Sequence, residues 1–427
     1  QPMSLISDPT WVATLALSAL LLANSLVRWW LAGRQMRHIA RHADQVPADF
    51  ANSVGLPEHR KAARYAMSKL RLNLLDIALD AVVLLGWTLL GGLDALNQAF
   101  LQWMDPGLLQ QMVLVVVFML IGGLIHLPLG WYETFRIEQQ FGFNRSTLTL
   151  WLSDLFKGLV LGLVLGVPIL WVVLSLMTAG GDVWWLWAWA ALVAYQWFVM
   201  WIAPNVIMPL FNRFTPLQDE ALKARVSALM ARAGFTAKGF FVMDGSRRSA
   251  HSNAFFTGFG ASKRVVFFDT LLQQLDEGEM EAVLAHELGH FKHRHVLKMM
   301  LRGFVATLLG LAALGWLSGQ TWFYTGLGVT PILGTEDANQ GLALILFMLV
   351  LPLPMFFLSP MRSTLSRRQE FEADAYAAQH ARRADLRTAL LKLYRDNAST
   401  LTPDPWYVAF YYSHPPAGQR LARLADA

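Results

Sequence analysis

The sequence predicts a mostly α-helical, polytopic membrane protein with seven spanning helices and a smaller part outside the bilayer that contains a short β-sheet. Two observations on composition predict this fold class. Hydrophobic residues make up 55% of the 427 residues and charged residues only 15%, whereas soluble domains average about 45–50% and about 25%. The apolar residues are also concentrated in runs of about 20, the length that crosses a bilayer as a helix.

Seven apolar runs qualify as membrane spans. They lie at about 10–31, 74–94, 111–130, 154–177, 184–208, 297–317 and 340–359. The second run is the least lipid-like of them because it carries Asp76, Asp80 and Asp94. An acidic residue within a span lies near a helix end or on an inner surface that water reaches. Both placements are open for Asp80, and we favour the inner surface.

The basic residues alternate between loops along the chain. Lys and Arg occur in 28–71, 131–153, 209–296 and the tail from 362. The loops 95–110, 178–183 and 318–339 contain none. Since Lys and Arg accumulate on the cytoplasmic side of membrane proteins, we expect an outside N-terminus, seven spans and a cytosolic C-terminus.

This alternation divides the chain into four predicted parts. Residues 1–212 hold spans one to five, 213–296 form the first polar segment, 297–359 hold the last two spans, and 360–427 form the second polar segment. The first polar segment is expected to contain helices at 219–233 and 277–295. Between them, alternating β-rich residues predict strands at 239–244, 253–259 and 264–270. The second polar segment is expected to contain helices near 361–380 and 384–397.

A cluster of histidines and glutamates stands in "EAVLAHELGHFKHRH", and His286, Glu287 and His290 form H-E-x-x-H within it. On a helix, residues i and i+4 share one face, so both imidazoles can bind one zinc ion. Glu287 beside them can take a proton from zinc-activated water as the general base. The chain has no cysteine, so a metal site must use His, Asp or Glu. The alternative is a helix whose histidines face water.

A catalytic zinc takes three protein ligands and keeps one open position. The best candidate for the third ligand is Glu370 in "SRRQEFEADAYAAQH". Asp374, one turn further on, can hold the free ring N–H of a ligating histidine. The alternative for this pair is an ordinary charged helix face. Glu372 points about 160° away from Glu370 on a helix, and we expect it to be solvated or paired with an arginine.

Two further histidines follow the motif. His293 continues the helix face seven residues after His286, too far along the axis for an unstrained shared centre. The metzincin pattern would moreover need glycine at His293 and histidine at Val296. We expect His295 to point away from the metal and to be a solvated charge near the next membrane entry.

These segments together resemble the type I CAAX prenyl endopeptidases, which are integral-membrane zinc metallopeptidases of the gluzincin kind. The resemblance covers nearly the whole chain. It rests on "YETFRIEQQFGFNRST" (132–147), "APNVIMPLFNRFTPL" (203–217), "SAHSNAFFTGFG" (249–260), "KRVVFFDTLL" (263–272), "HELGH" (286–290), "SRRQEFEADAYA" (366–377) and "SHPPAGQRLARL" (413–424). It implies a zinc metalloendopeptidase with one zinc per chain, ligated by His286, His290 and Glu370. It also implies that Glu287 is the general base and that Asp374 accepts a hydrogen bond from the ring of a ligating histidine.

The resemblance also implies roles for residues that spacing alone leaves unassigned. Asn253, Ala254 and Phe255 are expected on an edge strand that pairs with the extended substrate backbone. His414 and Arg420 are expected to stabilise the tetrahedral intermediate or to grip the substrate. Without the resemblance, His414 is a turn residue before two prolines and Arg420 a helix-surface charge.

In this family the spans enclose a large chamber with the zinc site at its cytosolic end, so His126 and Glu133 are expected to line it.

The expected partners are a membrane-associated or prenylated CaaX-type peptide or protein substrate and the lipid bilayer, with no nucleic acid, and the chain is expected to be a monomer. We expect a bacterial inner membrane, or the endoplasmic reticulum membrane if the source is eukaryotic. The alternative function is a transporter or scaffold with a structural zinc. Structural zinc sites are closed by four ligands, and the sequence offers no evident fourth ligand.

Overall fold

The structure, a computed structural model, describes residues 8–258, 262–334 and 338–425. It is mostly helical with one small sheet, as the sequence predicts. Within the described ranges, six helices are long and apolar enough to cross a membrane, and a bent pair makes a seventh span. The predicted ranges 1–212 and 360–427 include residues at the chain ends that lie outside the described ranges. The last residue of the predicted strand 253–259 also lies outside them.

The first six helices belong to the membrane part. They are α1 Pro9–His42, α2 Leu56–Trp87, α3 Gly92–Leu101, α4 Leu108–Tyr132, α5 Leu148–Ala179 and α6 Trp184–Ile202. Helix α4 continues through a π-helical segment, Glu133–Glu138, into Gln139–Phe141, and α6 continues through another, Ala203–Ile207, into Met208–Phe211. Both continuations lengthen apolar helices beyond the bounds that hydropathy predicts.

The second predicted span, 74–94, is not one straight helix. Helix α2 ends at Trp87, and α3 leaves it at an angle of 47°. Gly91 between them has φ +79°, a left-handed conformation that glycine adopts without a steric penalty. The chain can therefore turn within the membrane part, and the two pieces together form the bent span.

The remaining helices form the polar segments and the last two spans. They are α7 Glu220–Ala233, α8 Glu277–Lys292, α9 His295–Leu317, α10 Gln340–Val350, α11 Pro352–Phe357, α12 Ser359–His380, α13 Arg383–Asp396, α14 Pro405–Tyr411 and α15 Ala417–Ala425. Short unlabelled helices are Asp269–Gln274 and Thr321–Thr325, with 3₁₀ turns at Ala48–Phe50, Gly181–Val183 and Gly245–Arg247.

A four-stranded sheet is formed by one strand before α7 and three strands between α7 and α8. Its strands are β1 Phe214–Pro216, β2 Thr236–Met243, β3 Ala254–Thr257 and β4 Ser262–Phe268, in the order β1-β2-β4-β3. β2 and β4 are parallel, while β1 and β3 pair antiparallel to their neighbours. The short strand β3 is therefore an edge strand of this sheet.

Two large cores hold the molecule together. One lies among the membrane helices, and the other joins the sheet to α7, α8, α12 and α13. Helices α8 and α12 approach closely at Gly289. A Cβ on this glycine would lie 3.0 Å from the Ala373 Cα and 3.1 Å from the Tyr376 Cβ. Glycine at this position therefore lets the backbones of α8 and α12 meet.

Two cavities lie among the membrane helices and share His126. One, of about 580 Å³, is lined by Asp76 and Glu133 among others. The other, of about 510 Å³, is lined by Arg28 and Asp80. Glu133 lines the first cavity and Asp80 the second, while the single large chamber that the resemblance implies stays a prediction.

Candidate metal centre

Helix α8 carries the H-E-x-x-H motif and begins with a capping box. The Asp276 side chain accepts a hydrogen bond from the Glu279 N–H at 2.8 Å, and the Glu279 carboxylate accepts from the Asp276 N–H at 3.0 Å. These bonds satisfy backbone donors that a helix start leaves free. Met280, Leu284 and Leu288 are buried in the core. The helix is therefore fixed at its start and along one side, which orients the opposite face.

The predicted ligand atoms converge on one point. His286 Nε2 and His290 Nε2 are 3.3 Å apart. Glu370 on α12 brings Oε1 to 3.3 Å from His290 Nε2 and Oε2 to 3.5 Å from His286 Nε2. Ligands about 2.0–2.1 Å from a tetrahedral zinc lie about 3.3–3.4 Å from one another. The three side chains thus have the separations of three corners of such a site.

The electrostatics of this point favour a cation. Glu370 is buried, and no hydrogen-bond donor among the described residues reaches its Oε2. Burial alone would raise the pKa of Glu370, but His286 and His290 hold that pKa well below its usual range. Burial alone would lower the pKa of His286, but Asp374 and Glu370 raise it to about 9. A buried carboxylate without a full set of donors fits a bound metal ion.

Asp374 lies one turn after Glu370 and faces the other nitrogen of the first imidazole. Its Oδ1 is 2.8 Å from His286 Nδ1. Arg420 on α15 donates to both Asp374 oxygens, with Nε to Oδ2 at 2.8 Å and its terminal nitrogen to Oδ1 at 2.6 Å. The pKa of Asp374 is lowered by its contacts with His286 and Arg420 in spite of burial. The carboxylate is therefore ionised and fixes the ring orientation of His286.

Arg420 lies behind the imidazole and not at the site mouth. Its side chain is 7% exposed, and its other terminal nitrogen is 4.0 Å from Glu370 Oε2. Its two shortest contacts are both with Asp374. Two of the guanidinium nitrogens are thus used by a buried carboxylate, and the expected role of Arg420 towards the intermediate or the substrate stays a prediction.

Glu287 and His414 border the same point from the solvent side. Glu287 is partly exposed, and its carboxylate has no hydrogen bond or ion pair with the described residues. His414 is 65% exposed, and its Nε2 lies 3.5 Å from Glu370 Oε1. Desolvation lowers the pKa of His414, while the charge of Glu370 opposes that shift. Both side chains are thus free to contact a bound molecule.

His295 is not placed as the sequence analysis expects, and Glu372 is half exposed as expected but has an unexpected partner. His295 is 3% exposed and not a solvated charge, since its Nδ1 lies 2.9 Å from His290 Nδ1. Its Nε2 lies 2.8 Å from Glu372 Oε2, so Glu372 pairs with a histidine and not with an arginine or with water alone. The reason is a break in the helix: α8 ends at Lys292, and Arg294 has φ +55°. His293 remains exposed and stacks on His295.

The edge strand lies close to the metal-binding residues. Asn253 immediately precedes β3, and its side chain accepts from the Ala254 N–H at 2.8 Å. Ala254 and Phe255 pair with Phe267 and Val266 of β4, which leaves the other side of β3 without a neighbouring strand in the described sheet. A cavity of about 780 Å³ is lined by Phe255, His290 and further apolar side chains. An extended chain along β3 would thus pass His290.

Comparison with known proteins gives matches over both halves of the chain. Residues 35–213 match the family described as CAAX prenyl protease N-terminal, five membrane helices, and residues 216–427 match peptidase family M48. M48 enzymes are in general zinc metallopeptidases.

Individual relatives agree with the family matches. The "CAAX prenyl protease 1 homolog" of Oryza sativa subsp. japonica is 40% identical over 303 residues, which cover 70% of each chain. "CAAX prenyl protease 1" of Saccharomyces cerevisiae is 38% identical over 313 residues, which cover 70% of this chain and 69% of the yeast protein. The crystal structure of Ste24p from S. mikatae superposes with a TM-score of 0.90 at 30% identity, over 97% and 99% of the two chains.

Proposed function

The chain belongs to peptidase family M48, as a multi-pass membrane metalloprotease of the CAAX prenyl protease type, and from this membership we propose that it is a zinc metalloendopeptidase. One zinc is held by His286, His290 and Glu370. The observation that carries this proposal is the set of three ligand-atom separations, 3.3, 3.3 and 3.5 Å. When bound, the zinc would polarise the scissile carbonyl and lower the pKa of a water molecule toward about 7.

Glu287 is the general base of the proposed reaction. It directly follows His286 on α8, and its carboxylate is unpaired and partly exposed. It takes a proton from the attacking water and delivers that proton to the leaving amine. A base without an ion-pair partner can exchange protons in both directions, which a two-step proton transfer requires.

Two groups near the base orient the substrate, and a third, Arg420, acts on a proposed metal ligand. Asn253, Ala254 and Phe255 present an edge-strand backbone to which an extended peptide can add as a further strand. His414 at the site mouth donates to the oxygen that develops negative charge at the scissile carbonyl. Arg420 acts indirectly: it donates two hydrogen bonds to Asp374 and so holds the carboxylate that orients His286.

The proposed substrates are membrane-associated peptides, including prenylated CaaX-type C-terminal segments. The apolar cavity beside Phe255 and His290 accommodates apolar side chains or a lipid next to the cleaved bond. The polar segments 213–296 and 360–427 form the catalytic domain on the cytosolic side, in a bacterial inner membrane or an endoplasmic reticulum membrane. The chain acts as a monomer. Parallel cleavage assays with a prenylated and an unprenylated test peptide measure the contribution of the lipid.

The test of the hydrolytic mechanism is Glu287→Gln. Loss of the general base should lower peptide cleavage by roughly 10²–10⁴-fold, while the zinc content stays near one per chain. Glu277→Gln is the matched control, since Glu277 is an exposed carboxylate on the same helix, 52% exposed. Cleavage is followed by mass spectrometry and zinc by elemental analysis. Full cleavage by Glu287→Gln contradicts the proposed base, and zinc bound by a parent protein that cleaves nothing favours the scaffold alternative.

A further inference from the structure

We propose that His295 and Glu372 form a hydrogen-bonded relay that positions His290 for metal binding. The proposal rests on the zinc site proposed above and adds two positioning residues to it. His286 has a carboxylate, Asp374, at 2.8 Å from its Nδ1. Among the described residues no carboxylate contacts Nδ1 of His290; the atom that does is Nδ1 of His295, at 2.9 Å.

The hydrogen-bond chemistry fixes the direction of this relay. Glu372 is an acceptor when ionised, so the His295 Nε2–H must donate to its Oε2 across the 2.8 Å contact. A neutral imidazole with its proton on Nε2 carries an acceptor at Nδ1. The His290 Nδ1–H then donates to His295, and the lone pair of His290 is on Nε2. That nitrogen is the one that faces Glu370 at 3.3 Å.

The backbone is shaped to produce this contact. On an uninterrupted helix His295 would lie about 140° around the axis from His290 and could not reach it. Arg294 takes φ 55° and ψ 35°, a left-handed conformation that residues other than glycine adopt only rarely. Helix α9 then starts at His295 in a new direction. The left-handed residue thus lies immediately before the side chain that reaches His290.

The two residues of the relay differ in solvent exposure: the one next to His290 is buried and the other reaches the surface. His295 is 3% exposed, whereas the Glu372 side chain is 52% exposed. A buried imidazole needs partners for both nitrogens, and His290 and Glu372 supply one each. Glu372 can be replaced without opening the core, which makes it a clean probe of the relay.

The test measures zinc affinity of the purified full-length protein by competition with a chelator. His295→Phe removes the acceptor and should weaken zinc binding by about 10–100-fold, as loss of an outer hydrogen-bond partner does at other metal sites. His295→Asn places an amide oxygen where Nδ1 stood, so it should bind zinc more tightly than His295→Phe. Glu372→Ala should weaken binding by about tenfold, at the lower end of the same range.

Glu220→Ala is the matched control because Glu220 is exposed, paired with Lys223 and remote from the metal. Zinc binding by Glu372→Ala that equals that of Glu220→Ala overturns the relay, and this arm remains decisive if His295→Phe does not fold. Equal affinity of His295→Phe and His295→Asn also overturns it, since only packing would then be at issue. A parent protein that binds no zinc refutes the metal site itself, a different result from either of these.

Discussion

Two clusters in this molecule hold the same types of side chain but differ in how they are held. One is the candidate metal centre formed by His286, His290 and Glu370, and the other is the membrane cluster formed by Asp76, Asp80 and His126. Both bring three possible ligand atoms within 4.8 Å of one another. In the candidate metal centre the two imidazoles have separate outer partners and Glu370 is buried. In the membrane cluster all three side chains are about 40% exposed.

The membrane cluster also contains a cation of its own. Arg28 lies 3.2 Å from Asp80 Oδ2, and His126 Nε2 lies 3.2 Å from Asp80 Oδ1. The negative charge of Asp80 is therefore already balanced. We therefore expect the membrane cluster to bind a metal more weakly than the candidate metal centre. Burial, an unbalanced charge and rings held by outer hydrogen bonds distinguish the two clusters.

The largest expected difference comes from removing one carboxylate in each cluster. Glu370→Gln should reduce the zinc content to near zero and lower cleavage by at least about 10³-fold, since the lost Lewis acid contributes several kcal/mol. Asp80→Asn should leave the zinc content at one per chain. Elemental analysis and peptide cleavage measure both. Zinc lost on Asp80→Asn would show that the membrane cluster binds the metal.

A smaller effect on zinc binding is expected from Asp374, which contacts the proposed ligand His286 and not the metal itself. Asp374→Asn should weaken zinc binding by about 10–100-fold because the partner of His286 Nδ1 loses its charge. It also leaves Arg420 buried without its carboxylate, which lowers stability, so thermal unfolding should be measured alongside chelator competition. Asp76→Asn, in the membrane cluster, should change neither quantity. Equal zinc affinity in the two variants would remove Asp374 from the site.

The smallest expected effect is on the stability of the contact between helices α8 and α12 at Gly289. Gly289→Ala places a Cβ 3.0 Å from the Ala373 backbone, so α8 and α12 must separate by a few tenths of an ångström. Overpacking of this kind costs about 1–3 kcal/mol of unfolding free energy, and zinc affinity should fall with it. Gly122→Ala, whose Cβ on α4 would have no atom within 4 Å, is the control. Equal thermal stability of the two variants would contradict the close-approach explanation.

The membrane part of the fold could be predicted from the sequence because hydropathy acts along the chain. The second span shows the limit of that reasoning. Its apolar residues continue past Trp87, but the backbone turns at Gly91, and hydropathy does not record backbone conformation. Alternation located three of the four described strands, although β2 and β4 begin a few residues earlier than predicted, and it missed β1, which is only three residues long.

In the candidate metal centre, too, helical spacing predicts some residues, whereas others depend on contacts between segments distant in the sequence. His286 and His290 follow from helical spacing, and Asp374 follows from Glu370 on the same grounds. The position of His295 could not be predicted, because it depends on a left-handed conformation at Arg294. Arginine rarely adopts that conformation, and no glycine or proline marks the break. The contact of Arg420 with Asp374 depends on how α15 packs, which local spacing does not encode.

The order of the ligands along the chain has a consequence for biosynthesis. His286 and His290 precede α9, and Glu370 follows the last membrane helix, so both final spans separate the two parts of the proposed zinc site. A nascent chain that has not yet inserted both final spans contains His286 and His290 but lacks Glu370, the third proposed ligand. We therefore expect proteolytic activity to arise only after the last membrane helix and α12 have been synthesised and folded against α8.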